Sequence, residues 1–237
     1  MLIEIWSDIM CPFCYIGKRK LEKALEQFKH SSEVKLEWKS FQLDPTISDE
    51  ITHQSVYEYI AARKGWTLDR CKEIHKTIVE MAADVGLKFD FDKAKMANSF
   101  IAHRIIQYAK TKGLGDAAEE QFFKAYFTDG KNLNSRIDLT EVGIAAGLTY
   151  DAIDDALTND RYADAVKADI GKAERLGIHS VPFFVFNRKY AISGAQPVAV
   201  FSQTLEKAFE EWKTAQPIIT YSTLEGDVCC KDGDCTL

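Results

Sequence analysis

Leu2-Ile3-Glu4-Ile5-Trp6-Ser7-Asp8-Ile9-Met10-Cys11-Pro12-Phe13-Cys14-Tyr15-Ile16-Gly17-Lys18 decides how the rest of the chain is read. Leu2 to Trp6 is short and rich in β-forming residues, which predicts a strand buried on both faces. Ser7-Asp8 breaks it. From Pro12 to Phe28 the apolar residues Ile16, Leu21, Ala24, Leu25 and Phe28 are spaced for one helical face. Cys11-Pro12-Phe13-Cys14 therefore falls between a strand and the mouth of a helix. Unpaired N–H groups and the positive helix end stabilise a thiolate at Cys11 there, and Cys14 lies about one turn inside, within reach of a disulfide. Pro12 suits the first turn, where its missing N–H is not needed. The two thiols can trade a disulfide through a mixed intermediate, Cys11 attacking and Cys14 resolving. Two blander uses stay open: half of a zinc site, which needs two more ligands, or inert structural thiols. Spacing and context together favour redox chemistry.

Working outward, Val34 to Trp38 alternates apolar and charged residues and predicts a second strand, so the opening has the length of a βαβ unit. No convincing strand follows between Ser48 and Ala173. Helical patterns run over Gln54 to Lys64, along a stripe of Leu68, Cys71, Ile74, Ile78, Ala82 and Val85, and along Ala94, Ala97, Ile101, Ile105 and Tyr108. Asp92 is placed to cap the last of these. Asp116 with Glu119 and Asp138 with Glu141 have capping-box spacing. Strand signals return at Phe183 to Phe186, with a turn at Asn187-Arg188-Lys189 and a hairpin partner at Tyr190 to Ile192. A helix begins near Pro197. The division expected is a sheet-and-helix domain over 1–47 and 159–215, a helical insertion over 48–158, and a cysteine-bearing tail over 216–237.

Composition narrows the function. The 237 residues are 46% hydrophobic and 28% charged, a globular balance, with a formal net charge of -6 and no basic stripe. That argues against nucleic-acid binding. No apolar run is long enough to cross a bilayer, and the N-terminus lacks the basic leader of a secretory signal. The expected compartment is the cytoplasm, with no membrane partner. Six cysteines stand at 11, 14, 71, 229, 230 and 235. They cluster at the chain's two ends, which suits chemistry better than a disulfide scaffold.

Val181-Pro182 precedes the strand Phe183 to Phe186. A cis bond there turns the chain sharply and brings backbone against the redox pair, but only about 5% of X–Pro bonds in folded proteins are cis, so the residues alone favour trans.

These pieces resemble the thioredoxin-fold DsbA-like oxidoreductases, specifically the cytoplasmic FrnE-type. The similarity lies in IEIWSDIMCPFCYIGKRKLEKAL (Ile3 to Leu25), Phe41, Asp44-Pro45, Asn98, Ala102-His103-Arg104, FFKAYFTDGKN (Phe122 to Asn132) and LGIHSVPFFVFNRKYAISGAQ (Leu176 to Gln196). The resemblance implies an α/β thioredoxin-like fold, a small mixed sheet flanked by helices, split by an all-helical domain. It implies a cis Pro182 facing the thiols, with Val181 offering backbone to substrate beside Pro12 and Phe13. It also implies dithiol–disulfide exchange on protein or peptide thiols, no bound cofactor or metal, and glutathione or another thiol couple as redox partner. Related kappa-class glutathione transferases and chromene-carboxylate isomerases typically carry serine at the nucleophile position, so Cys11 argues for dithiol chemistry. Phe13 stands where strongly oxidising periplasmic relatives have histidine, and a neutral ring stabilises a thiolate less. Cys230 and Cys235 look like the additional C-terminal pair of some FrnE-type proteins, with Cys229 as a rival partner.

Three further residues are weighed. Cys71 lies four residues before His75 and reads as a buried small hydrophobe. His103 falls off its helix stripe and reads as structural, the resemblance suggesting that Asn98, His103 and Arg104 hold the insertion together or line its cleft. His179 lies close to Pro182 in sequence and reads as a loop residue. Two other functions remain to be separated from protein disulfide exchange: a glutathione-dependent small-molecule transferase or isomerase, and a redox-regulated chaperone.

Overall fold

The computed structural model describes residues 1–48, 50 and 54–215. Cys229, Cys230 and Cys235 lie outside the described residues. The elements are β1 (Leu2–Ser7), α1 (Pro12–Gln27), β2 (Lys35–Ser40), α2 (Val56–Lys64), α3 (Leu68–Ala83), α4 (Ser99–Thr111), α5 (Gly115–Lys124), α6 (Arg136–Ala145), α7 (Tyr150–Thr158), α8 (Asp160–Arg175), β3 (Phe183–Phe186), β4 (Tyr190–Ser193) and α9 (Val198–Thr214). The sheet order is β2-β1-β3-β4. β1 and β2 are parallel, with α1 as the crossover, whereas β3 runs antiparallel to β1 and to β4. This is a thioredoxin-like α/β core carrying a large helical insertion.

β1 explains the arrangement. Its register places Ile3 opposite Leu36 and Phe186, and Ile5 opposite Trp38 and Phe184. Ile3 and Ile5 join Leu21, Ala24, Phe184, Phe186, Phe201, Leu205 and Phe209 in one apolar cluster, between the sheet and the helices α1 and α9. Trp6 points the other way, as period-two alternation requires. It belongs to a second and larger cluster with Ile105, Phe122, Phe123 and Phe127, and that cluster also holds Cys11, Cys14, Tyr15 and Ile16. The thiol pair therefore packs into the core of the helical insertion.

Hairpin β3–β4 turns through Asn187 (φ 49) and Arg188 (φ 55). Phe186 pairs with Tyr190, so the loop is Asn187-Arg188-Lys189, closed by the Lys189 amide donating to the Phe186 carbonyl at 3.0 Å.

Several helix starts differ from the sequence reading. α4 begins at Ser99 and is capped by Asn98, whose side chain accepts from the amide of Phe100 at 3.0 Å. Asp92 caps nothing, because the segment before Asn98 is non-helical and buries Phe89, Phe91 and Met96 there. α6 is capped by Ser135, and Asp138 in its first turn accepts from the amide of Asn132 at 2.8 Å. α5 starts at Gly115, so Asp116 is already inside it and accepts from the indole of Trp38 at 2.9 Å. Acids that look like caps were recruited by tertiary partners. Leu68, placed on the buried stripe of α3, is 42% exposed. No described helix is long and apolar enough to cross a membrane.

Candidate functional site

Cys11 is the N-cap of α1, in extended conformation (φ -90, ψ 111), with Pro12 at the first helical position. Its amide donates to the Asp8 carbonyl at 2.9 Å, and the Cys14 amide donates to the Cys11 carbonyl at 3.0 Å. Cys11 thus sits where the first N–H groups of the helix converge and favour negative charge. Both cysteines are free thiols and both are buried, Cys11 at 3% and Cys14 at 1% exposure. Burial pushes the Cys14 thiol well up, and its hydrogen bond to Cys11 and the charge there push the same way. The Asp8 backbone and the Ser7 hydroxyl pull it down more weakly. At neutral pH Cys14 is held as the protonated partner.

The Val181–Pro182 peptide bond is cis. Cys11 Sγ donates to the Val181 carbonyl at 3.5 Å, and the Pro182 carbonyl accepts from Gly194 at 2.8 Å. Helix α1 presses closely on this segment at Gly17. A Cβ on Gly17 would lie 3.1 Å from Pro182 Cγ and 3.1 Å from Phe184 Cζ, neither at the end of a flexible chain. Gly17→Ala is therefore expected to be net destabilising, an overpacking cost of about 1–3 kcal/mol being partly offset by the ~1 kcal/mol alanine gains over glycine inside a helix, read as a lowered urea midpoint with an unchanged m-value. An unchanged midpoint would show that the contact relaxes freely. Lys20 ties the same helix to the loop after β4, donating to the Ala195 carbonyl at 2.8 Å.

On its other side α1 meets the insertion. The ring of Tyr15 stacks on Phe123 with centroids 4.8 Å apart, and its hydroxyl donates to Glu120 at 2.6 Å. Lys18 is buried among Glu22, Asp116 at 3.4 Å and Glu120 at 3.2 Å. Two large apolar side chains are exposed on this side, Phe13 at 37% between the thiols in sequence and Leu43 at 48%. Leu43 and Met10 are neighbours, since their amides share the Asp8 carboxylate, at 2.7 and 3.1 Å.

Pro12, Phe13, Val181 and Pro182 thus gather around Cys11 and Cys14. His179 is exposed. Cys71 and His75 are both buried; the ring lies 2.8 Å from the Cys71 carbonyl and 3.5 Å from its sulfur. Among the described residues, no three His, Cys, Asp or Glu side chains come together in a way that could hold a metal ion. Asn98 and Arg104 stitch the insertion: Asn98 donates to the Ile47 carbonyl at 2.7 Å, and Arg104 to those of Ala156 and Asn159 at 3.1 and 3.2 Å. His103, read as lying off its helix stripe, is fully buried, because α4 is covered on nearly every side. Asp8, read only as a strand breaker, follows β1 and holds the redox loop through the Met10 and Leu43 amides, and Glu119, read as half of a capping box, is buried instead.

Comparison with known proteins places this geometry. Residues 2–206 match the DSBA-like thioredoxin domain. A probable DsbA oxidoreductase from Streptomyces coelicolor is 35% identical, superposes with a TM-score of 0.85, and the alignment covers 94% of each chain. YwbO from Bacillus subtilis is 25% identical over 207 residues, 86% of this chain and 94% of its own. The cytosolic disulfide reductase DsbM from Pseudomonas aeruginosa, solved with GSH, shares the fold at 17% identity and a TM-score of 0.62, covering 89% of this chain and all of its own. The chain belongs to the DSBA-like thioredoxin-domain family and is a thiol–disulfide oxidoreductase of that class, with Cys11 and Cys14 as its redox pair.

Proposed function

We propose that this enzyme exchanges disulfides with protein substrates, with Cys11 attacking, Cys14 resolving and Val181 and Pro182 positioning the substrate backbone. The observation that carries the reading is Cys11 Sγ lying 3.5 Å from the Val181 carbonyl, beside a cis peptide that leads into β3. An extended substrate laid along Val181 would bring its sulfur to Cys11, while the exposed faces of Phe13 and Leu43 offer an apolar seat for an unfolded chain. Cys14, buried and held protonated, is suited to the second step only.

A FrnE-type assignment within the family is supported by the motif blocks and by cysteines at 230 and 235. The cytosolic name of the Pseudomonas reductase supports a cytoplasmic site of action, and its complex with GSH supports glutathione as the thiol couple that resets the pair. The division into a sheet-and-helix domain over 1–47 and 159–215 with a helical insertion over 48–158 is proposed with it.

The test is a redox titration in glutathione buffers, with acid trapping and mass mapping of each cysteine, run beside refolding of a protein with scrambled disulfides. A reversible Cys11–Cys14 disulfide and recovery of the scrambled protein are expected. Cys11 stopping as a stable glutathione adduct, with Cys14 free, would overturn the reading in favour of a glutathione-dependent transferase. Client holding that survives loss of Cys11, without any exchange, would overturn it in favour of a chaperone.

A further inference from the structure

Leu43 is exposed, yet the backbone that carries it is tethered at every residue from Phe41 to Asp44. The Phe41 amide donates to the Ser7 carbonyl at 2.9 Å, and the Phe41 carbonyl accepts from His103 Nε2 of α4 at 2.9 Å. The side-chain amide of Gln42 donates to Asn98 Oδ1 at 2.9 Å. The Leu43 amide donates to Asp8 Oδ2 at 2.7 Å. The buried Asp44 carboxylate accepts from the Thr46 amide at 3.0 Å, the Thr46 hydroxyl at 2.6 Å, Tyr59, and Arg63 at 2.6 Å. Of these four residues Leu43 alone is exposed. A single exposed leucine is ordinary. A leucine held out on an immobilised backbone is a preorganised contact, which binds without the ordering cost that a mobile one incurs.

Asp8 joins this tether to the redox loop. It is buried, and its carboxylate gives one oxygen to each side: Oδ2 accepts from Leu43, and Oδ1 accepts from the Met10 amide at 3.1 Å. The Asp8 carbonyl accepts from the Cys11 amide at 2.9 Å. Met10 precedes Cys11 directly, so one buried residue fixes where Leu43 stands relative to the attacking thiol. Hydrogen bonds to a carboxylate are among the stronger ones, and at this depth an amide that loses its acceptor finds no water to replace it.

We propose that Leu43 is a specificity-determining residue that receives a large apolar side chain flanking the substrate cysteine, and that Asp8 is the positioning residue that sets it in register with Cys11. This rests on the reading that Cys11 attacks disulfides of protein substrates. The partner recognised in this way is a polypeptide cysteine with a leucine-like neighbour. Folded proteins bury such neighbours, whereas an incompletely folded chain presents them beside its cysteines. The same contact therefore separates unfinished chains from finished ones, and polypeptides from small disulfides that have no side chain to offer.

The test compares two disulfide-joined peptides as substrates of the reduced full-length protein, one with leucine on each side of its cysteine and one with serine there. Both are opened by the same thiols, so a change in the reactivity of Cys11, or in overall stability, cancels in the ratio of their rate constants. The unsubstituted protein should open the leucine peptide about tenfold faster or more, the low end of what an apolar contact contributes to selectivity. Leu43→Ala should bring the ratio close to unity and Leu43→Met should retain it. Ile137→Ala, at an exposed position on α6, should leave the ratio as it was. Asp8→Asn keeps one acceptor oxygen and turns the other into an NH2 group, which releases one of the two amides. Its ratio should fall as far as that of Leu43→Ala, and adding Leu43→Ala to it should bring no further fall. No preference in the unsubstituted protein, or an unaltered ratio in Leu43→Ala, overturns the proposal; a further fall in the double variant overturns the part given to Asp8. Should Asp8→Asn fail to fold, hydrogen exchange in the unsubstituted protein decides that part. The Leu43 amide should exchange far more slowly than in an unstructured peptide, and exchange at the unstructured rate overturns the latch. If neither peptide is opened with formation of a Cys11–Cys14 disulfide, the exchange reading beneath the proposal falls instead.

Discussion

Cys14→Ser is expected to turn the enzyme into a trap. With the helix N-terminus and the Val181 carbonyl still around Cys11, the first step survives and a substrate disulfide is opened. The second does not, because serine offers no sulfur to displace the substrate. Multiple turnover on a disulfide-bonded protein should fall about a thousandfold or more, the scale on which loss of a reacting group shows in rate, and a Cys11-linked adduct should accumulate and run as a reducible band. Cys11→Ser should show neither turnover nor adduct. The asymmetry follows from the Cys14 thiol, which desolvation, its hydrogen bond to Cys11 and the charge there push well up, so that it cannot replace Cys11 as attacker. Equal trapping by the two variants would show that the roles are not divided in this way.

Stability should fall as pH rises from about 5 to about 8, and Glu119→Gln should abolish much of that fall. Burial moves the Glu119 carboxyl from 4.5 to about 7 on folding, so between those values the folded state holds the extra proton. A raised folded pKa contributes stability that is present below the lower value and lost as pH climbs through the upper one. A shift of this size corresponds to about 3 kcal/mol, taken as an order of magnitude. His103, which burial lowers but Asp8 and Glu119 raise further, has the same sign above 6.5. His75 and the Met1 ammonium are both lowered by burial and pull the other way. The comparison is therefore between proteins: urea unfolding of the reduced protein at pH 5.5 and 8, with and without Glu119→Gln. The substitution should be markedly stabilising at pH 8 relative to its effect at pH 5.5. A constant difference between the two proteins at both pH values would show that Glu119 does not titrate in this window.

The redox pair was legible in the sequence because everything that defines it is local. Strand, break, Cys11, Pro12 and helix follow one another within a few residues, and each acts on its neighbour through the backbone. The strand Phe183–Phe186 and its turn were legible for the same reason. Helix starts were less so. Asp116 and Asp138 have the chemistry of caps, but the Trp38 indole and the Asn132 amide took them, and neither partner can be inferred from spacing along a helix. The tie between Asp8, Leu43 and His103 was illegible, because nothing local links positions so far apart. For the burial of Glu119 one signal was available. Glu119 follows Ala118 and precedes Phe122 and Phe123, all fully buried, and a carboxyl flanked that way is bound for the interior or for a partner.

Tyr15 follows Cys14 directly, and its ring lies flat on Phe123 of the insertion. The helix that presents the reactive sulfurs is thereby wedged between two bodies of protein, gripped by the sheet at Gly17 and by the insertion at Tyr15. A graft of the sheet alone would lose one jaw of this vice. The inserted helices are not a removable accessory on an older scaffold, and any lineage that remodels them also retunes the reach and aim of the thiols.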